Sequence, residues 1–151
     1  MQGFTIGTAN AGDLPALELL LALLFSIEVD FRPDGERQRR ALALLLEDAE
    51  RAIVMAARDP SGAVIGMASA QLVVSTAEGA WSAWVEDVVV AEGFRGKGIG
   101  ASLLSALLDW AREKGATRAQ LLADRTNAPA LDFYRRLGWQ PTQLGAWRVA
   151  L

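Results

Sequence analysis

The 151-residue sequence predicts a mixed α+β fold in which a mostly antiparallel sheet is flanked by about four helices. Three observations predict this fold. Three strand-like segments follow one another in the middle of the chain, segments with helical periodicity lie on both sides of them, and no repeat or Pro/Gly-rich linker interrupts the order. The length suits one hydrophobic core. We therefore expect residues 1–151 to form a single domain.

The first part of the chain predicts four strands and two helices. The expected strands cover residues 4–8, 53–57, 64–75 and 81–90. The expected helices cover residues 13–27 and 36–50. Asp13 is a suitable N-cap for the first helix, and Leu42, Leu45 and Leu46 recur at helical spacing in the second. The sequence at residues 59–62 is typical of a tight turn, which predicts that the central strands form an antiparallel meander.

The rest of the chain begins with the clearest helix, expected over residues 99–114. Ile99, Leu103 and Leu107 stack at four-residue spacing, and Gly115 supplies a stop. A strand at 118–123 and a helix at 127–137 are expected to follow. The segment from Trp139 onward is expected to supply one or two terminal strands.

Composition excludes several functions. The net charge of −3 and pI near 5.0 disfavour binding to nucleic acid or anionic membranes. The sequence has no Cys and no His, which removes thiol nucleophiles, imidazole bases and the usual zinc ligands. The apolar run at residues 14–29 holds Glu18 and Glu28, and the roughly 9 residues between them are far fewer than the roughly 20 that span a bilayer. We expect a cytoplasmic protein without a metal.

A basic, glycine-rich segment between a strand and a helix carries the densest chemical signal. Its residues are Arg95, Gly96, Lys97, Gly98, Ile99 and Gly100. Glycines allow a ligand close to the backbone, and the free amides of a helix start attract phosphate. A plain basic turn and a dinucleotide-binding loop are alternatives, because Gly96, Gly98 and Ala101 fit G-x-G-x-x-A. The ATP-binding P-loop pattern fails, since no Ser or Thr follows Lys97.

This segment resembles the pyrophosphate loop of the GNAT N-acetyltransferases, Q/R-x-x-G-x-G/A, through Arg95, Gly98 and Gly100. Asn127 and Tyr134 are similar to the later Asn and Tyr of that family. The segment around Glu86 resembles the polyamine and diamine acetyltransferase branch, which has a Glu-Asp pair there. The resemblance implies a six- to seven-stranded sheet, acetyl-CoA as co-substrate, a primary amine of a small molecule as acceptor, and dimers as a common assembly.

The resemblance also implies roles for residues. The loop residues 95–100 would hold the CoA pyrophosphate, the backbone of Val88, Val89 and Val90 would pair with the pantetheine arm, and Asn127 would contact CoA. Without a Cys to carry the acetyl group, direct attack in a ternary complex is expected.

Catalysis needs a proton acceptor, because an alkylamine with a pKa near 10.4 is almost entirely protonated at pH 7. Glu86 is the candidate base, with a substrate anchor or an ion pair as alternatives. Strand alternation predicts that Asp87 points to the opposite face. Tyr134, the only Tyr of the chain, is the candidate acid for the departing thiolate.

The acceptor side is less well defined. Trp84 and Asp30 are candidate substrate contacts, with Trp81 as a further one, although core packing and a solvated turn are equally compatible with these residues. Acetylation of protein lysines or N-termini, a non-catalytic acetyl-CoA-binding domain and a dinucleotide-dependent oxidoreductase are the alternative functions.

Overall fold

A computed structural model describes residues 3–28 and 30–151, so that Val29, at the end of the apolar run, lies outside the described residues. The strands are β1 (Thr5–Thr8), β2 (Ala52–Arg58), β3 (Val64–Ser75), β4 (Ala80–Val90) and β5 (Ala116–Leu121). The α-helices are α1 (Leu14–Ile27), α2 (Gly35–Glu47), α3 (Ile99–Glu113) and α4 (Ala128–Arg136). The mixed α+β class is confirmed.

The five strands form one sheet in the order β1-β2-β3-β4-β5. The pairs from β1 to β4 are antiparallel, as the predicted meander requires. The chain divides into two compact units, of which the first ends at Gln120 and the second covers Leu121–Leu151. None of the helices in the described residues is long and apolar enough to cross a membrane.

Helices cover both faces of the sheet in the first unit. Met67 packs in one buried cluster with Leu17 of α1 and Leu42 of α2. Its neighbour Gly66 faces α3, where an added Cβ would lie 3.3 Å from side-chain atoms of Ile99 and Leu103. Because consecutive residues of a strand point to opposite faces, α1 and α2 lie on one face of the sheet and α3 on the other.

Asp13 occupies the N-cap position of α1, as the sequence predicts, but its side chain makes no capping hydrogen bond to that helix. Asn10 caps a short 3-10 helix at Ala11–Asp13, and Asp13 accepts a hydrogen bond from the Asn10 N–H at 2.9 Å. The Asp13 carboxylate is buried and accepts two hydrogen bonds from the Arg58 guanidinium, at 2.6 and 2.8 Å. This pair holds the start of α1 against the end of β2, and the Arg58 hydrogen bonds lower the pKa of Asp13.

A one-residue β-bulge interrupts β4. Met67 pairs with Val89 and Ser69 pairs with Glu86, so that Ala68 lies opposite both Asp87 and Val88. Asp87 has a φ of 57°, a left-handed conformation that Asp and Asn adopt more readily than most residues. The bulge therefore changes which face of the sheet each later side chain of β4 occupies.

The second unit contains α4 and the C-terminal segment. No strand follows Trp139, so the described sheet has five strands and not the six to seven expected. Pro141 lacks a backbone donor for a sheet ladder, and the Gly145 backbone lies against the Arg125 guanidinium. The alternating Trp147, Val149 and Leu151 remain exposed.

Candidate active site

The start of α3, which follows the loop after β4, presents backbone amides that have no acceptor within the helix. Gly98 is the N-cap of α3 and offers no side chain to its first amides, and the first turn of the helix contains no acidic residue. Ser102 N–H donates to the Gly98 carbonyl at 3.1 Å, which leaves the amides of Ile99, Gly100 and Ala101 without a helical acceptor. Three converging donors at the positive end of a helix form an anion site.

Glycine is required at two positions of this loop. Gly96 and Gly98 have φ values of 75° and 82°, in the left-handed region that side chains disfavour. A Cβ built on either would meet no atom within 4 Å, so open space adjoins the backbone at both. The loop can therefore receive a ligand group directly against its backbone, as a diphosphate requires.

Two cations accompany the amides. Arg95 Nε donates to the carbonyl oxygen of Val90 at 3.1 Å, which folds the side chain back over the end of β4. Lys97 Nζ lies 5.3 Å from the centre of the Phe94 ring, within cation–π range. The loop thus combines helix amides, open glycines and two positive side chains, a combination that suits an anionic ligand.

A cleft of about 580 Å³ lies on the α2 side of the sheet. This volume is within the range of small-molecule sites. Its walls come from the end of α2 and from β2, β3 and β4, and its carboxylates are Glu47, Asp48, Glu86 and Asp87. No Lys or Arg of the described residues lines it. The negative end of the α2 dipole lies at Glu47, so the cleft favours a cation.

Asp87 lines the same cleft as Glu86, which contradicts the predicted alternation. The bulge gives β4 an extra residue, and two consecutive carboxylates consequently reach one cavity. Sequence reasoning missed Asp87 because a regular strand would have turned it away. The signal available in the sequence was the Glu-Asp pair itself.

Glu86 and Asp87 differ in their surroundings. Glu86 is exposed, and its Oε1 accepts a hydrogen bond from Trp84 Nε1 at 2.6 Å, which orients the carboxylate. Asp87 is partly buried, and this burial raises its pKa to about 6, with further contributions from the charges of Glu86 and Glu28. A hydrogen bond from Ser69 acts in the opposite direction. A carboxyl that titrates near neutral pH is suited to proton transfer.

The other residues predicted to contact the acceptor do not line the cleft. Trp84 reaches the site through its hydrogen bond to Glu86 and does not itself line the cleft. Trp81 packs in a second buried cluster and has the Arg51 guanidinium 5.7 Å from its ring centre, which accounts for it as a packing residue. Asp30 is an exposed turn residue outside the cleft lining.

Asn127 and Tyr134 belong to the second unit. Asn127 is the N-cap of α4, and its Oδ1 accepts a hydrogen bond from the Ala130 N–H at 3.2 Å. This bond leaves the side-chain NH₂ group of Asn127 to donate to another acceptor. Tyr134 packs edge-on against Trp139, with ring centres 6.0 Å apart, and lies 5.3 Å from Phe133. Asn127 caps the start of α4, and Tyr134 lies in its last turn.

Comparison with known proteins identifies relatives. Streptothricin acetyltransferase of Streptomyces lavendulae is 47% identical over 64 residues, which are 39% of this chain and 34% of that protein. Thialysine N-epsilon-acetyltransferase of Bos taurus is 31% identical over 97 residues, 63% of this chain and 56% of that protein. The chain spans about a third or less of the length of the first three curated relatives it matches.

Solved structures share the fold. Glucosamine-6-phosphate N-acetyltransferase from Arabidopsis thaliana superposes with a TM-score of 0.75 at 20% identity, covering 97% of each chain. An aminoglycoside acetyltransferase from an uncultured soil metagenomic sample has a TM-score of 0.78 at 24% identity, covering 99% of this chain and 97% of its own.

The family model described as the acetyltransferase (GNAT) family matches residues 17–139, which include the phosphate loop, both cleft carboxylates of β4, Asn127 and Tyr134. The predicted family is confirmed, and acetyl-CoA is the co-substrate of that family. The chain belongs to the GNAT family of acetyltransferases.

Proposed function

We propose that the protein transfers the acetyl group of acetyl-CoA to a primary amine of a small cationic molecule, such as a polyamine, a diamine or an amino-acid-like compound. The observation that carries this proposal is the acidic cleft at the β4 bulge. It lies on the same strand as the phosphate loop, with only Val88, Val89 and Val90 between Asp87 and the end of β4. A cation in the cleft and a diphosphate at the loop would thus be held by one rigid element.

The donor side of the proposal assigns the loop to acetyl-CoA. The amides at the start of α3, with Arg95 and Lys97, would hold the diphosphate. The backbone of Val88, Val89 and Val90 would pair with the pantetheine arm, and the NH₂ group of Asn127 would contact CoA. When bound, acetyl-CoA supplies a thioester that an amine can attack without a covalent enzyme intermediate, and the sequence contains no Cys to form one.

The acceptor side assigns the cleft to an ammonium group. On the order of one alkylamine molecule in a thousand is neutral at pH 7, so the enzyme has to remove a proton. We assign this to the Glu86–Asp87 pair, because both carboxylates line the cleft and burial raises the pKa of Asp87 to about 6. Glu86, oriented by Trp84, meets the ammonium, and the pair receives its proton.

Tyr134 is proposed as the acid that protonates the departing thiolate. A phenol with a pKa near 10 can donate a proton to a thiolate at modest cost. The assignment rests on its match to the family motif and on its being the only Tyr of the chain.

The choice of a small amine has partial support from relatives. One relative is named for acetylating the N-epsilon of thialysine, and the chain covers 56% of it. The cleft adds a physical reason, because four carboxylates without a lining Lys or Arg would bind a dication more tightly than a monocation. We therefore place the acceptor closest to the polyamine and diamine branch.

Release of free thiol from acetyl-CoA tests this function. The amine panel consists of aliphatic diamines and polyamines, lysine-like amino acids, a monoamine, a lysine-containing peptide and an amine that carries a net negative charge. We expect thiol release with the dications first and slowest release with the anionic amine. Acetyl-CoA binding without release for any amine would favour a non-catalytic domain. Release with the peptide alone would favour protein acetylation.

A further inference from the structure

Ser69 connects the two carboxylate residues of the bulge. It lies on β3 opposite Glu86 and is 2% exposed. Its Oγ is 3.2 Å from the backbone carbonyl oxygen of Glu86 and 3.2 Å from Oδ2 of Asp87. A hydroxyl has a single proton to donate, so it can satisfy only one of these acceptors fully at a time.

We propose that Ser69 is a positioning residue of the acceptor cleft, whose hydroxyl changes partner as Asp87 gains and loses a proton. When Asp87 is ionised, Ser69 donates to its carboxylate. When Asp87 is protonated, the Asp87 O–H donates to Ser69 Oγ, and the Ser69 proton turns to the Glu86 carbonyl. This inference rests on the proposed function, in which the Glu86–Asp87 pair receives the proton of the ammonium.

The arrangement allows Asp87 to change charge at low cost. A half-buried carboxyl that loses its hydrogen-bond partner in one protonation state is penalised in that state. Ser69 supplies a partner in both states, as a donor in one and an acceptor in the other. It also bonds the bulge from β3, which keeps the Asp87 side chain in the cleft.

Ser69 acts on the pKa of Asp87 in the opposite direction to the charged residues around it. Burial is the largest cause of the raised pKa of Asp87, and the charges of Glu86 on the same strand and Glu28 after α1 raise it further. Glu47 and Asp48 at the end of α2 line the same cleft. The Ser69 hydrogen bond lowers that pKa.

The proton transfer balances within the cleft. The N–H bond of the ammonium breaks and its electron pair remains on nitrogen, which becomes the nucleophile. The proton joins a carboxylate oxygen of Asp87, and the Ser69 hydroxyl reorients. No oxidant, reductant or further reactant is needed.

Carbon-13 NMR of the unmodified protein without substrates tests the partner change. The Asp87 carboxyl carbon and the Ser69 Cβ should titrate with one shared midpoint. A Ser69 Cβ signal that stays constant while Asp87 titrates would overturn the proposal. Because no turnover is involved, this result is separate from the thiol-release assay that decides the proposed function.

Variants add a kinetic readout, the pH profile of kcat/KM for the best amine. In Ser69→Ala the Asp87 midpoint and the acidic limb of the profile should move up by about one pH unit, since a hydrogen bond to the charged form is lost. Ser69→Thr keeps a hydroxyl and should restore the wild-type limb. KM for acetyl-CoA should remain unchanged in both. Wild-type midpoints in Ser69→Ala, or equal shifts in both variants, would count against the proposal.

Discussion

Replacing Asp87 with Asn should make the protein more stable at neutral pH while it loses acetyl transfer. The folded structure holds an ionised Asp87 beside Glu86 in a half-buried cleft, and its pKa rises from 3.8 to about 6. Asn has the same shape, carries no charge and tolerates a φ of 57°. The substitution therefore removes an electrostatic cost without adding backbone strain.

The size of the effect follows from the pKa change. A shift of about 2 units at about 1.4 kcal/mol per unit gives an upper limit of about 3 kcal/mol. Water reaches the cleft and reduces this value, so we expect Asp87→Asn to raise the unfolding free energy at pH 7.5 by about 1–3 kcal/mol. For a chain of this size that corresponds to a rise in Tm of about 3–10 °C.

The direction of the pKa shift determines how the stability difference between Asp87→Asn and wild type changes with pH. The folded pKa of Asp87 lies above the unfolded value, so the folded state binds the proton more tightly. The contribution of Asp87 to stability is complete below pH 4 and is lost as the pH rises through about 6. The stability difference between Asp87→Asn and wild type should therefore be small near pH 4 and grow up to about pH 7.

Urea denaturation at a series of pH values between 4 and 8 measures this difference. Asp109→Asn is a matched control, because Asp109 is 69% exposed and also loses one negative charge. The control should show little change. A variant that is less stable than wild type at pH 7.5, or a difference that does not vary with pH, would refute the reasoning. Loss of turnover with a gain in stability is typical of active-site residues.

Three further substitutions, the first paired with a control, test the phosphate loop, the proposed general acid Tyr134 and the ion pair of Asp13. Gly98→Ala should weaken acetyl-CoA binding at least tenfold, measured by calorimetry. Gly79→Ala is the control, because Gly79 has a similar left-handed φ of 65° with open space around it. This control should destabilise the fold by a comparable amount, roughly 1–2 kcal/mol, without loss of acetyl-CoA affinity. Equal affinities in the two variants would contradict the loop assignment. Tyr134→Phe should lower kcat about tenfold or more while acetyl-CoA affinity is kept; unchanged kcat would remove the acid assignment. Asp13→Asn should destabilise the protein by about 2–4 kcal/mol at pH 7, measured by urea denaturation, because Arg58 loses a charged partner. Because the pKa of Asp13 is lowered in the folded state, the stability difference from wild type should shrink as the pH falls below about 4. A stability difference that stays constant with pH would argue against the ion pair.

The sequence allowed most of the fold to be predicted. Helix α3 was expected over 99–114 and covers Ile99–Glu113, because its apolar residues recur at helical spacing and Gly115 ends it. The loop at residues 95–100 was expected between β4 and α3, because its glycines and basic residues separate a strand from a helix, and its assignment to phosphate stays a prediction. The strands of the meander were bounded by turn residues that local chemistry identifies.

The bulge could not be predicted from one sequence. Whether β4 carries an extra residue depends on its register with β3, and that register is set by packing across the sheet. Alternation alone therefore placed Asp87 on the wrong face. The prediction of terminal strands was wrong for a related reason. Trp147, Val149 and Leu151 alternate as in a strand, but a strand also needs a neighbouring strand to pair with.

A crystal structure with CoA and a bound diamine would test the central assignment most directly. We predict the diphosphate at the amides of Ile99, Gly100 and Ala101, and one ammonium group within hydrogen-bond distance of Glu86 or Asp87. A diphosphate bound elsewhere, or a diamine that avoids the acidic cleft at the β4 bulge, would contradict the assignment of both sites.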